Sequence, residues 1–260
     1  MTEPLRIDGL SVGYGNRRVI DRLSLPPVEG GSVTALIGPN AAGKTTLLRA
    51  LAGLLPATGS VRLGDVELTR LGHAARALHV TYMPQTLPQR VSLTVLEATL
   101  SALMSSPAGE DASGEAPRLR VMQALDRLGI ADLALRGLDE LSGGQRQLAS
   151  LAQSIVREPN VLLLDEPTSA LDLRHQMQVM QLVAELARER GIIVMVVLHD
   201  IALASRWSRR LVVVAKGKVA ADGPPEQAVT PAMLAEVYGI EARVERCSRG
   251  FVQVMVDRAV

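Results

Sequence analysis

The amino-acid sequence predicts an α/β fold in which helices cover both faces of a parallel sheet. Runs of consecutive apolar residues at 33–38, 161–164, 192–198 and 211–215 are typical of strands that are buried on both sides. Segments in which apolar residues recur at helical spacing separate these runs. Strands that alternate with helices favour a parallel sheet over an antiparallel one.

The first third of the chain is predicted to begin with a strand at 5–12 and to contain a helix that starts at Lys44. Pro56 is expected to stop this helix, because proline cannot continue the backbone hydrogen bonds. The leucines that form its apolar face are Leu47, Leu48, Leu51, Leu54 and Leu55.

Two further helices are predicted at 119–128 and 142–157. The intervening segment 105–117 is dense in Ser, Pro, Gly and acidic residues, and is predicted to be a mobile surface loop. A long helix is expected to end at Gly191, and a C-terminal β-hairpin is expected at about 241–257. One face of the long helix is expected to carry Leu173, Met177, Met180, Ala184 and Ala187.

Composition excludes several classes of protein. The 28 basic and 27 acidic residues nearly balance, and aromatic residues make up 2%, which argues against a nucleic-acid-binding protein. A single cysteine, Cys247, excludes a disulfide framework and fits a reducing compartment. The longest apolar run, 192–198, is far shorter than the roughly 20 residues of a membrane-spanning helix. Residues 1–8 lack the apolar core of a secretory signal, so none is expected.

A phosphate-binding loop is predicted between the strand 33–38 and the helix that follows it. The motif G-x-x-x-x-G-K-[ST] is formed by Gly38, Pro39, Asn40, Ala41, Ala42, Gly43, Lys44 and Thr45. Backbone N–H groups would cradle phosphates, Lys44 would face the β and γ oxygens, and the Thr45 hydroxyl could bind Mg²⁺. The alternative is an ordinary turn beside a stray lysine, and the strand–helix context argues against it.

Two carboxylates follow the apolar strand 161–164. The carboxyl ends of strands in an open α/β sheet face the ligand, so Asp165 could hold Mg²⁺ and Glu166 could act as a general base on water. The alternative is a solvated junction between a strand and a loop. The presence of a phosphate loop favours the functional interpretation.

A second glycine-rich helix start lies at Ser142-Gly143-Gly144-Gln145. Ser142 and Gln145 have capping-box spacing, and the glycines leave N–H groups open to an anion. Cap chemistry alone favours an ordinary capped helix.

Taken together, the motifs resemble those of the ATP-binding cassette ATPases, the nucleotide-binding subunits of membrane transporters. The resemblance covers nearly all 260 residues and rests on motifs in the family's order. They are the phosphate loop 38–46, Gln85 of the Q-loop, the signature LSGGQ at 141–145, the Walker B pair Asp165-Glu166, the D-loop 169–172 and the switch histidine His199.

The resemblance implies a P-loop NTPase (RecA-like) core with an antiparallel β subdomain and a helical subdomain at about 86–158, within a single domain spanning 1–260. It implies that ATP and Mg²⁺ bind between two copies arranged head to tail. Ser142, Gly143 and Gly144, with Gln145 beside them, would then approach the γ-phosphate held by the opposite copy.

The resemblance also assigns roles to single residues. Glu166, His199 and Gln85 would be catalytic. Thr45 and Asp165 would hold Mg²⁺, and Gln85 would contact it too and sense both the cation and the attacking water. The remaining contacts are assigned to Tyr14, which would stack on adenine, to Thr46 of the phosphate loop, and to Asp172, which would couple the two sites.

One position departs from the family pattern. Ala41 stands where the family most often has glycine. We expect the backbone at Ala41 to be compatible with a right-handed conformation, so that alanine is tolerated there.

The predicted function is ATP hydrolysis that energises import of a metal chelate of the iron-siderophore, haem or cobalamin class. The expected partners are a second copy of the chain, integral-membrane permease subunits and an external substrate-binding protein, with the chain attached to the cytoplasmic face of the membrane. The alternatives are the ATPase of another ABC importer or exporter, and a soluble P-loop switch without a permease.

Overall fold

The structure is a computed structural model that describes residues 2–85, 92–110 and 114–260. Its strands are β1 (Leu5–Tyr14), β2 (Arg17–Val28), β3 (Val33–Ile37), β4 (Ala57–Leu63), β5 (Val66–Glu67), β6 (Val80–Met83), β7 (Val161–Asp165), β8 (Ile193–Val197), β9 (Arg210–Ala215), β10 (Lys218–Gly223), β11 (Ile240–Arg246) and β12 (Val252–Ala259). Its helices are α1 (Lys44–Leu51), α2 (His73–Ala77), α3 (Val95–Met104), α4 (Pro107–Glu110), α5 (Ala116–Arg127), α6 (Gly143–Ile155), α7 (Leu173–Arg190), α8 (Ile201–Trp207), α9 (Pro225–Ala228) and α10 (Pro231–Met233). Residues 86–91 and 111–113 of the predicted helical subdomain lie outside the described residues.

The central sheet has the strand order β10-β9-β3-β8-β7-β6 and confirms the predicted α/β fold. Its pairs are parallel, apart from the edge strand β10, which runs antiparallel to β9. The register places Asp165 opposite Val197, and Leu36 opposite the same valine. The segments that follow β3, β7 and β8 therefore emerge side by side at one edge of the sheet.

The core lies on both faces of this sheet, which explains why its strands are continuously apolar. In β8 the side chains alternate: Val194 and Val196 pack against the helices of one face, while Ile193, Met195 and Val197 pack against α1 and the second sheet. All five residues of β8 are buried. A strand with only one buried face would instead alternate apolar and polar residues.

The second sheet is antiparallel, with the order β2-β1-β4-β5. The long strand β2 was not predicted from apolar periodicity, because the consecutive prolines Pro26 and Pro27 and several arginines interrupt its alternation. The pairing of β1 with β2 shifts register several times, as expected for a bulged and strongly twisted pair. The C-terminal strands β11 and β12 pair as a separate antiparallel hairpin.

The prediction that α1 extends to Pro56 was wrong. The helix ends at Leu51 because Gly53 takes a left-handed conformation, with φ 74°, and the Leu54 N–H bonds back to the carbonyl of Arg49. The buried Arg76 also donates to the Ala50 carbonyl at the end of the helix.

Two other local predictions need correction. The segment 105–117 is not simply a loop, since it contains α4 and the start of α5, with 111–113 outside the described residues. Leu173 does not belong to the buried face of α7, because it is 80% exposed in the first turn. The buried residues of α7 are Val179, Met180, Leu182, Val183, Leu186 and Ala187. In the described part of the chain, no helix is both long and apolar enough to cross a bilayer.

Candidate functional site

The predicted phosphate loop connects β3 to α1 at the carboxyl edge of the sheet. Gly38 has φ 144°, and a Cβ atom there would collide with the backbone carbonyl of Val214, so only glycine fits. The first helical residue is Lys44, and Gly43 caps the helix without any side-chain hydrogen bond. The N–H groups of the first turn therefore remain free for an anion.

The structure overturns the expectation for Ala41. Its φ is 61°, in the left-handed region, rather than a right-handed conformation. A residue with a Cβ atom pays about 1–2 kcal/mol there. Because the Ala41 side chain is exposed and meets no steric obstacle from a packed neighbour, the loop holds this conformation at a modest cost.

Lys44 lies inside the loop rather than in solvent. Its Nζ donates to the carbonyl oxygens of Gly38 at 2.7 Å and Pro39 at 2.9 Å. Burial lowers the pKa of Lys44, and the charges of Glu166 and Asp165 partly oppose this effect. A cation held this close to the loop is placed to meet phosphate oxygens.

Asp165 is fully buried at the end of β7, and both of its oxygens are engaged. Oδ1 accepts a hydrogen bond from Thr45 Oγ1 at 3.0 Å, and Oδ2 accepts one from the Tyr82 hydroxyl at 2.9 Å. Burial is the main cause that raises the pKa of Asp165, and the two hydrogen bonds oppose it. The hydroxyl of Tyr82 also accepts from Arg49 Nε at 3.3 Å, and burial above all raises the pKa of Tyr82 to about 12.

The donor set fits Mg²⁺. Thr45 and Asp165 present two oxygen atoms side by side, and Mg²⁺ prefers oxygen ligands. Among the described residues there is no cluster of three or more His, Cys, Asp or Glu side chains that could enclose a metal. A partial set of this kind suits a cation that is shared with substrate phosphates and water.

The three residues predicted to be catalytic meet in the structure. Glu166 Oε2 accepts a hydrogen bond from Gln85 Nε2 at 2.6 Å, and Oε1 lies 2.5 Å from His199 Nε2. The carboxylate is only 12% exposed. Glu166 also has a left-handed backbone, with φ 52°, which is a strained conformation of the kind found at functional sites.

Glu166 and His199 border a cleft of about 370 Å³, and Gln85 lies beside it through its hydrogen bond to Glu166. Its lining includes Tyr14, Glu166, His199 and the phosphate loop from Asn40 to Thr46, together with Arg17 and Val19, which sequence reasoning missed. Tyr14 is half exposed, so its ring is accessible to a ligand. The volume is within the range of small-molecule sites.

The signature turn does not line this cleft. Ser142 caps α6 and forms the predicted capping box with Gln145, while Ser142 and Gly143 stay exposed. Asp172 likewise lies elsewhere and caps α7: Oδ1 accepts from the His175 N–H at 2.9 Å, and that bond is the main cause that lowers the pKa of Asp172.

Three further residues at the site were missed because their role appears only in the three-dimensional structure. Tyr82 reaches Asp165 from β6, and Arg49 of α1 donates to the Tyr82 hydroxyl. Gln147 reaches the loop after β7 from α6. Tyr82 lies on β6, the strand beside β7, three residues before Gln85, and this closeness to Gln85 in the sequence is a signal that could have indicated its role.

Free N–H groups, a buried lysine and the Glu166 carboxylate at one cleft, with Asp165 buried behind Thr45, suit the binding and cleavage of a nucleoside triphosphate, which places the chain among the P-loop ATPases. The family model described as ABC transporter matches residues 21–169, which is more than half of the chain. The chain belongs to the ABC transporter family, and it is an ATP-hydrolysing member of that family.

Two relatives illustrate the range of that family. A phosphonates import ATP-binding protein of Synechococcus sp. (strain JA-2-3B'a(2-13)) is 38% identical over 247 residues, which cover 91% of each chain. A hemin import ATP-binding protein of Rhodopseudomonas palustris (strain BisA53) is 38% identical over 255 residues, which cover 95% of this chain and 92% of the relative.

Two solved structures are also similar. An ABC transporter assigned to the metal-chelate type, in an inward-facing conformation, is 25% identical with a TM-score of 0.80, and the match covers 98% of both chains. A dimeric ATP-binding cassette in a post-hydrolysis state, bound to ADP and phosphate, is 25% identical with a TM-score of 0.76. That match covers 85% of this chain and 98% of the other.

Proposed function

We propose that this chain is the ATPase subunit of an importer for a metal chelate of the iron-siderophore, haem or cobalamin class. The observation that carries the proposal is the match of 98% of both chains to the metal-chelate type transporter. The match of 85% of this chain to the dimeric cassette bound to ADP and phosphate supports the ATPase part of the proposal. The hemin importer's ATPase, with its 38% identity, gives independent support.

The chemistry assigned to each residue follows from its position in the cleft. Lys44 and the N–H groups of the loop bind the β- and γ-phosphates, and Tyr14 stacks on the adenine ring. Thr45, Asp165 and Gln85 would hold Mg²⁺, which supplies positive charge against the phosphate oxygens.

Hydrolysis is assigned to the hydrogen-bonded carboxylate. Glu166 accepts a proton from water as it attacks the γ-phosphate, since general-base action requires a carboxylate within hydrogen-bond reach of the water. His199, which contacts the same carboxylate, hydrogen-bonds the γ-phosphate and orients Glu166. Gln85 connects the site to the segment that follows β6.

The working unit is a head-to-tail dimer of this chain. The signature turn, Ser142 to Gln145, lies outside its own cleft, and its first two residues are exposed, so it is available to close the cleft of a second copy. Asp172 couples the two sites. The dimer attaches on the cytoplasmic side to permease subunits, which receive substrate from an external binding protein.

A second candidate is import of phosphonate. The relative from Synechococcus is as similar in sequence as the hemin importer's ATPase, and it is a phosphonate importer's subunit. Both candidate functions use the same fold and the same ATPase site, because this subunit binds nucleotide rather than the transported solute. The fold and the site therefore do not separate the two candidates.

Uptake measurements separate the two candidates. A strain of the source organism that lacks this chain is assayed for uptake of labelled ferric siderophore, haem, cobalamin and phosphonate. The strain is complemented either with the wild-type chain or with Glu166→Gln. Loss of uptake of a metal chelate, restored by wild type alone, supports the proposal. Loss of phosphonate uptake alone supports the second candidate.

Partner capture tests the transporter role itself. Tagged Glu166→Gln is loaded with Mg-ATP in detergent-solubilised membranes of the source organism, and the co-purifying proteins are identified. A polytopic permease is the expected partner. Recovery of only soluble partners would contradict the role in transport and would favour a soluble P-loop switch.

A further inference from the structure

Among the described residues, the side-chain amide of Gln147, in the second turn of α6, forms hydrogen bonds only with the loop that follows β7. Nε2 donates to the carbonyl oxygen of Glu166 at 2.5 Å and also lies 3.3 Å from Ser169 Oγ. Oε1 accepts a hydrogen bond from the Ala170 N–H at 3.0 Å. Gln147 is buried, 7% exposed, so water cannot replace these bonds if they break.

The carbonyl that Gln147 holds belongs to a strained residue. A non-glycine residue such as Glu166, with φ 52°, keeps its left-handed backbone only where its surroundings hold it in place. The Glu166 N–H donates to the Val197 carbonyl at 3.2 Å, which ties it to β8. The Glu166 carbonyl is tied to α6 by Gln147. The backbone of Glu166 is therefore held from two different elements.

The start of α6 packs directly on the same loop. A Cβ atom at Gly144 would lie 3.0 Å from the carbonyl oxygen of Ala170 and 3.2 Å from a methyl group of Leu171. Such distances leave almost no free space between the signature turn and the loop. A displacement of the signature turn toward the loop would therefore press on Ala170 and Leu171, and Gln147 links the same helix to Glu166.

We propose that Gln147 is a positioning residue, which ties the backbone conformation of Glu166 to the location of the signature helix α6. The proposal rests on the proposed function, because it takes Glu166 as the general base and the signature turn as part of the opposite site. When the signature turn contacts ATP in the site of the opposite copy, the position of α6 then changes the orientation of the Glu166 carboxylate in the chain's own site.

The test compares two glutamines on the same helix. Gln147→Met keeps the length of the side chain and removes its hydrogen bonds. Gln153→Met is the matched control, since Gln153 Nε2 is buried without a hydrogen-bond partner among the described residues. We expect Gln147→Met to lower the kcat of ATP hydrolysis at least tenfold and to leave the KM for ATP within about twofold. Gln153→Met should leave kcat and KM unchanged.

Hydrogen–deuterium exchange provides a readout besides activity. In Gln147→Met, amide exchange across 166–170 should become faster, whereas Gln153→Met should retain the wild-type rates. A wild-type kcat in Gln147→Met, or a parallel loss of kcat and of ATP binding, would show that Gln147 does not position Glu166.

Glu166→Gln, measured in parallel, distinguishes failure of the positioning role of Gln147 from failure of the proposed function. If Glu166→Gln is inactive while Gln147→Met is fully active, the positioning role fails and the proposed function stands. If Glu166→Gln hydrolyses ATP at the wild-type rate, the base assignment in the proposed function fails and the positioning role fails with it.

Discussion

Thr45 Oγ1 donates a hydrogen bond to Asp165 Oδ1 at 3.0 Å, although 120 residues separate the two in the sequence. Thr45 lies in the first turn of α1 and Asp165 ends β7, so the bond joins the end of the phosphate loop to the acidic strand end. The parallel sheet makes this possible because the carboxyl ends of β3 and β7 lie at the same edge. The pair provides two oxygen ligands before any cation is bound.

Loss of the loop lysine should abolish tight nucleotide binding. Lys44→Met removes the cation that Gly38 and Pro39 hold beside the phosphate site, so ATP affinity should fall at least tenfold. Equilibrium binding of a fluorescent ATP analogue measures the change. The control is Lys218→Met, which alters an exposed lysine of β10 and should bind like wild type. Equal affinities of the two variants would contradict the role of Lys44.

The hydroxyl of Tyr82 should control how well Mg²⁺ assists ATP binding. In Tyr82→Phe, Asp165 Oδ2 loses a hydrogen bond while the ring packing is retained, so the carboxylate is less well oriented toward Thr45. The ratio of ATP affinities with and without Mg²⁺ should fall several-fold, and affinity without Mg²⁺ should stay constant. Thr81→Val is the control, because it removes a buried hydroxyl that has no partner in the described structure. An unchanged ratio in Tyr82→Phe would be evidence against this positioning.

Glycine at position 41 should not destabilise the protein. Ala41→Gly relieves a left-handed strain of about 1–2 kcal/mol, which is offset by about 0.5–1 kcal/mol of added freedom in the unfolded chain. The free energy of unfolding should therefore stay constant or rise by up to about 1.5 kcal/mol. Ala184→Gly, inside α7, should lower it by about 1 kcal/mol. Urea unfolding measures both, and a clear loss of stability in Ala41→Gly would contradict the conformation.

Glu67 should make stability depend on acidic pH. Burial would raise its pKa, but hydrogen bonds from Ser60, Thr69 and Val61 outweigh this effect and lower the pKa from 4.5 to about 2. The unfolded chain therefore binds the proton more readily. The contribution of the ionised Glu67 carboxylate to the free energy of unfolding is complete above about pH 4.5 and is lost as the pH falls toward 2.

Urea unfolding of wild type and Glu67→Gln across pH 3–7 tests this expectation. The difference between the two proteins should be largest at neutral pH, on the order of 1 kcal/mol, and should shrink below pH 4.5. The exposed Glu226→Gln serves as the control and should show no such trend. A difference that is constant across the range would contradict the low pKa of Glu67.

Sequence reasoning identified the elements whose signal is local. The strands β3, β7 and β8 are continuous apolar runs, and the phosphate loop and the signature cap are short motifs with fixed spacing. It failed where the outcome depends on contacts. The early end of α1 involves a hydrogen bond from Arg76, and the irregular strand β2 is held by its pairing with β1.

By itself, the sequence determined the α/β fold and the family, and it predicted the phosphate loop and the roles of Glu166, Gln85 and His199, because these depend on residue type and spacing along the chain. Only the tertiary structure decided the left-handed backbones of Ala41 and Glu166, and the approach of Tyr82 and Gln147 to the acidic pair. Neither the backbone conformations nor these contacts could be predicted. A left-handed conformation costs about 1–2 kcal/mol, and it forms only where packing and hydrogen bonds between distant segments stabilise it.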